Sequence, residues 1–260
     1  VRFLYTKQWR YFIQIWLGRN IKLNKIMKKL LIVLLFVPIV ALAQIAQQCP
    51  QFAPMGVPQY QAEPGDQELC RTNYAVIHRC SVKAPVAVFE HLTVAAMTGP
   101  AKRKDNFRPD PQVHDQCRAT LADYATVGRT HDRGHMAPAG NNTQNDSIMS
   151  ESFFLSNMVA QVANNNRGIW KQLETWERDW ASKGGDFYIV SGGIYDPGHP
   201  VTGNGLGIPT RLYKLIYERN SGQTMAYLMP NAALPVADLP KYQTTVQAVE
   251  QATGMRFNLK

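Results

Sequence analysis

Residues 129–136 read Arg129-Thr130-His131-Asp132-Arg133-Gly134-His135-Met136, and the core Asp132-Arg133-Gly134-His135 is the most informative feature of the chain. Unperturbed imidazole titrates near pH 6.5, so His135 can serve as a neutral base near neutrality. A base so placed contributes about 10²–10⁴ in rate. Arg133 offers a fork of donors matched to phosphate oxygens. Asp132 either orients a neighbour by hydrogen bonding or caps a turn. Gly134 fits a point where the backbone bends or is closely approached. His131 and His135 also stand at the spacing of a two-histidine metal pair. The intervening Asp-Arg-Gly argues against the helix such a pair needs, and no glutamate follows His131.

A second stretch begins about thirty residues later, Asn164-Asn165-Asn166-Arg167-Gly168-Ile169-Trp170-Lys171-Gln172-Leu173-Glu174. Ile169, Leu173, Trp176 and Trp180 recur at offsets of 4, 3 and 4, which predicts a helix over about 168–182 ending at Gly184-Gly185. Glu174 and Arg178 lie one turn apart on another face. They form a helix-surface ion pair, or Glu174 holds a metal-bound water and Arg178 approaches a phosphate. Asn166 sits just before the first turn. It is a helix cap, or its amide oxygen is one of the few protein ligands that Mg²⁺ requires.

Around these stretches the chain reads as strands with a few helices. Residues 74–77, 86–94 and 187–190 are rich in β-branched and aromatic side chains. Residues 211–218 and 223–228 flank Arg219-Asn220-Ser221-Gly222, which suits a hairpin. Residues 98–111 are polar loop carrying the basic cluster Lys102-Arg103-Lys104, and a last helix over 241–253 stops at Gly254. The expectation is an α+β fold, helices packed on a mixed or antiparallel sheet.

The net charge of +9 is a property of the first residues. Residues 1–43 hold eight Lys/Arg and no acid, leaving 20 basic against 19 acidic residues over 44–260. Attraction to an anion must therefore come from local clustering. Met27-Lys28-Lys29, an apolar run to Ala43 and the closing Ala41-Leu42-Ala43 predict a signal peptide over 27–43, cleaved after Ala43. That places the protein in the periplasm or the medium, without stable membrane association after cleavage. Residues 1–26 read as an upstream extension outside the fold. Residues 44–69 are a Pro/Gln-rich arm, and 70–260 form one domain. Cys49, Cys70, Cys80 and Cys117 behind an export signal suggest two disulfides, with three pairings open. No Cys-x-x-Cys supports zinc.

Together the two stretches resemble the DNA/RNA non-specific endonucleases, whose site is of the ββα-metal type. The resemblance covers about residues 70–235 and also takes in Leu155-Ser156-Asn157. It implies that His135 activates water and that Asn166 binds Mg²⁺, for which Mn²⁺ can substitute. It implies further that Arg178 is the helix arginine and that Arg103 contacts phosphate from upstream. Lys104 replaces Arg103 if the register shifts by one. With Asp132 and Gly134 in support, the implied activity is hydrolysis of single- and double-stranded DNA and RNA to 5′-phosphate products. The sequence departs from the family's Pro-Gln pair at Ala160-Gln161, which loosens a loop and leaves the ligands untouched. Nothing in the sequence indicates an inhibitor protein. A catalytically inactive nucleic-acid- or partner-binding protein on the same scaffold, or a phosphodiesterase for small esters, are the alternatives.

Overall fold

Successive side chains of a strand face opposite ways, and here the central strands are apolar on both parities. Tyr74 and Val76 enter one buried cluster while Ala75 and Ile77 enter another. Such strands require cover on both faces. The computed structural model describes residues 44–259 and supplies that cover. In chain order the elements are α1 (Gln44–Gln48), β1 (Gln67–Cys70), β2 (Tyr74–Arg79), β3 (Ala84–Leu92), α2 (Val94–Met97), α3 (Leu121–Ala125) and β4 (His131–His135). There follow α4 (Asp146–Glu151), β5 (Met158–Val162), α5 (Lys171–Ser182), β6 (Phe187–Ile194), β7 (Val201–Thr202) and β8 (Leu206–Gly207). The chain closes with β9 (Arg211–Glu218), β10 (Thr224–Pro230), β11 (Gln243–Thr244) and α6 (Val246–Thr253).

Seven strands form one sheet in the order β1-β2-β3-β6-β9-β10-β11, antiparallel at every step. The α+β expectation holds, in its antiparallel form. On one face Val88, Leu92, Ile189, Leu212 and Ile216 pack with Ile169, Trp170 and Leu173, which lead into and begin α5. On the other, Phe89, Val190, Tyr213 and Leu215 pack with Val249 of α6 and with Ile45 and Phe52. Each fully buried side chain of this kind contributes about 1.5–3 kcal/mol. A separate ribbon, β4 paired antiparallel with β5, carries the Asp-Arg-Gly-His stretch as strand rather than helix.

Several expectations need correction. The helix placed over 168–182 begins at Lys171; before it, Asn165–Trp170 wind as a wider π turn kinked at Gly168 (φ −108°, ψ −105°). Ile169 and Leu173 are fully buried, whereas Trp176 and Trp180 are only partly so. The last helix starts at Val246, where the Thr245 hydroxyl accepts from the Ala248 N–H. Its supposed first turn is the end of a 3-10 stretch, Lys241 and Tyr242, followed by the short strand β11. Gly254, at φ +70°, ends it as expected. The Pro/Gln-rich arm over 44–69 holds α1 and a 3-10 turn, and β1 crosses its boundary at 69/70. The cysteines pair as Cys49–Cys70 and Cys80–Cys117. The leader over 27–43 and the extension over 1–26 lie outside the described residues. No described helix is long and apolar enough to cross a membrane.

Candidate active site

The β4–β5 ribbon and the π turn are locked together by one buried amide. Gly134 pairs with Val159, and a Cβ on it would lie 2.0 Å from Gln161 Oε1. Only glycine leaves space for that side chain, which donates from Nε2 to Asn165 Oδ1 at 2.9 Å. Asn165 in turn donates to the carbonyls of Pro230 and Ala232 at 3.2 and 3.0 Å. The next residue, Asn166, is thereby held opposite β4. Its Nδ2 donates to Asp132 Oδ2 at 2.8 Å. Arg167 donates to the same carboxylate from Nε at 2.8 Å and from Nη2 at 2.6 Å. Asp132 thus orients its neighbours, and the amide oxygen of Asn166 is the group left for a ligand.

Arg103, Arg133, His135, Asn166, Glu174 and Arg178 line one cavity of about 590 Å³. His135 is 8% exposed, and its ring sits 5.5 Å from Phe107 and 5.0 Å edge-on from Phe153. Its Nε2 is buried without a hydrogen-bond partner among the described residues. Burial first, then the charges of Arg103 and Arg133, lower its pKa to about 3, so the imidazole is neutral at physiological pH. The same phenylalanines carry the arginines: Arg133 lies 4.2 Å over Phe107 and Arg103 lies 5.1 Å over Phe153. Lys104 points elsewhere, its Nζ 2.7 Å from Asp146 Oδ2, so Arg103 is the upstream cation at the cavity.

Glu174 and Arg178 do not form the ion pair that their spacing allows. Arg178 Nη1 instead donates to Asn141 Oδ1 at 3.2 Å, and Asn141 Nδ2 donates to Glu90 Oε2 at 3.1 Å. Beneath them Lys214 Nζ lies 3.0 Å from Glu177 Oε1, with both side chains fully buried. Burial, with Glu177 as the leading negative neighbour, pushes the Glu174 carboxyl up to about 7 against the attraction of Lys214 and Arg178.

The sequence model for "DNA/RNA non-specific endonuclease" matches residues 53–260. The chain belongs to that family. It is 33% identical to human Nuclease EXOG, mitochondrial, over 212 residues, which is 74% of this chain and 57% of that protein. Human Endonuclease G, mitochondrial, is 31% identical over 75% of this chain and 70% of its own. Nuclease C1 of Cunninghamella echinulata var. echinulata is 33% identical over 72% and 81%. The chain therefore spans less than two thirds of the length of the EXOG relatives. A crystal structure of the EndoG/EndoGI complex superposes with a TM-score of 0.71 at 27% identity, covering 80% of this chain and 90% of that one.

Among the described residues no group of three or more His, Cys, Asp or Glu could hold a metal ion, so a dense protein cage is not what the family site offers here. One oriented amide oxygen beside a carboxyl whose ionisation a cation would favour fits a hard divalent ion that keeps most of its waters. Sequence reasoning missed Phe107, Asn141, Glu90 and Arg167. Arg167 was findable as the neighbour of Asn166. The Asn141–Glu90 contact joins residues 51 apart and has no local signature.

Proposed function

We propose that the protein is a Mg²⁺-dependent endonuclease that hydrolyses DNA and RNA with little sequence preference, leaving 5′-phosphates. The observation that carries this reading is the convergence of a neutral imidazole, an oriented amide oxygen and three guanidiniums on one cavity. Arg103, Arg133 and Arg178 hold the phosphate, and its negative charge offsets the part of the lowering at His135 that comes from Arg103 and Arg133. His135 then takes a proton from water as the water oxygen attacks phosphorus and the bond to the 3′ oxygen breaks. Asn166 directly, and Glu174 through water, would hold the divalent cation, which supplies neutralisation of charge on the phosphate and on the departing oxygen. Asp132 keeps Asn166 in place.

The test is cleavage of supercoiled plasmid and of RNA by the oxidised protein with Mg²⁺ and then with EDTA. Metal-dependent loss of both substrates is expected. Intact substrates beside folded protein would move the reading to a binding protein on this scaffold.

The same proposal includes export. The two disulfides support an oxidising compartment, although the EXOG and Endonuclease G relatives are named as mitochondrial. Mass spectrometry of protein recovered outside the cytoplasm is expected to find a chain beginning at Gln44. Recovery with residues 27–43 attached would refute the cleavage.

A further inference from the structure

Beyond the Arg133 and Arg167 wall of the candidate active site lies a second cavity of about 390 Å³. Its lining combines two chemistries. One is apolar, built by Leu121 and Ala125 of α3, and Leu121 is 43% exposed. The other is cationic, built by Arg129, Arg133 and Arg167. Asp132 is the single carboxylate in the lining, and Asn166 and Arg167 already engage it. Arg129 is exposed and makes no ion pair among the described residues. The loop carrying it is stiffened at both ends. The Thr126 hydroxyl donates to the Asp123 carbonyl at 2.6 Å, and the Thr130 hydroxyl donates to the Val127 carbonyl at 2.7 Å.

We propose that this cavity is a nucleotide subsite, taking the residue adjacent to the scissile phosphate with its base on the Leu121–Ala125 wall and its phosphate on Arg129. The inference deepens the endonuclease reading and rests on it. An apolar surface and a guanidinium lining one cavity suit a ligand with one planar, weakly polar end and one anionic end. Arg133 belongs to both cavities, so one backbone passing over it places consecutive phosphates on the two cationic sides. A base reaches the Leu121 wall only when it has left the stack, because a paired base keeps its faces covered by its neighbours. The subsite therefore favours single-stranded substrate.

The test compares wild type with Arg129→Glu and Leu121→Asp, both exposed positions, on two substrates. One is a fluorescein-labelled single-stranded oligonucleotide; the other is bis(4-nitrophenyl) phosphate, too short to reach both cavities. Each variant is expected to lose about tenfold or more in kcat/KM on the oligonucleotide, mainly through KM, and several-fold less on the small diester. Oligonucleotide binding, followed by anisotropy in EDTA, is expected to weaken, with the salt slope of Arg129→Glu shallower by about 0.7 for the lost phosphate contact. Equal losses on both substrates, or unchanged oligonucleotide binding, would overturn the subsite. Protein that binds through Arg129 and Leu121 but cuts neither substrate would retain the subsite and overturn the endonuclease. Cutting that ignores both variants would do the reverse.

Discussion

The two faces of the seven-stranded sheet are built from the same strands but to different ends. The face under α6 is apolar at its centre, with Ile77, Phe89, Tyr213 and Leu215 against Val249 and Phe257, and its buried carboxylate, Glu68, lies at the β1 edge and accepts from the Ile45 N–H. The face under α5 is equally dry yet embeds Glu90, Glu177 and Lys214 among its aliphatic side chains. A buried ion pair is seldom worth more than the apolar side chains that could replace it. The charges under α5 are therefore poor candidates for stabilisers. Glu90 instead reaches toward the cavity, through Asn141 to Arg178, above the Lys214–Glu177 pair. One face holds the fold together; the other spends part of its packing on holding an arginine still.

The sharpest way to separate the faces is at the site itself. His135→Ala is expected to lower plasmid cleavage by about 10²–10⁴, the usual worth of a positioned base. An initial rate equal to wild type would mean that the base is elsewhere. Next comes Lys214→Met, which strands Glu177 and should cost about 3–5 kcal/mol in urea unfolding. The double variant with Glu177→Leu should recover most of that stability, and failure to recover would show the pair to be a stabiliser after all. On the opposite face, Leu215→Ala should cost about 2–5 kcal/mol and leave the rate per folded molecule intact at 25 °C. A parallel fall in that rate would erase the distinction between the faces.

Smaller effects sharpen it further. Asn141→Ala is expected to reduce kcat/KM by about 10–100-fold, the scale seen when a group supporting a site residue is lost, with a stability loss of about 1–3 kcal/mol for the buried Glu90 oxygen left unpaired. Glu90 gives a pH signature. Burial pushes its carboxyl up to about 8, opposed by Lys214 and the Asn141 hydrogen bond and reinforced by Glu177 and Glu174. The unfolded chain releases this proton near the ordinary 4.5, so between that value and 8 the folded state binds more protons and stability falls as pH rises. Glu90→Gln removes that contribution. Its melting temperature relative to wild type should rise from pH 5 to pH 8 and then level off. A constant difference would place the ionised carboxylate in the fold at pH 5.

What was legible in the sequence was local. The Asp132–His135 stretch read as non-helical because Asp-Arg-Gly opposes helix, and the structure makes it the strand β4. Ile169, Leu173, Trp176 and Trp180 read as one apolar stripe, of which the first two are fully buried, and the kink at Gly168 moved the start of α5 to Lys171. The late start of α6 was marked by Thr245, a good cap three residues before the N–H it accepts from; a helix begun at Lys241 ran past it. The disulfide pairing, the choice of Arg103 over Lys104 and the Glu90–Asn141–Arg178 chain depend on residues brought together across the sheet. No periodicity encodes them.

The ends of the sheet carry a consequence for handling the protein. An open strand edge recruits other chains, and both edges here are blunted. On one side β11 is only two residues long. On the other, α1 packs against β1, with the Ile45 N–H donating to Glu68 Oε2 at 2.8 Å, and Cys49–Cys70 ties the two together. Reduction of that bond frees the cover and presents β1 as a template, so thiol-treated protein should self-associate before it unfolds.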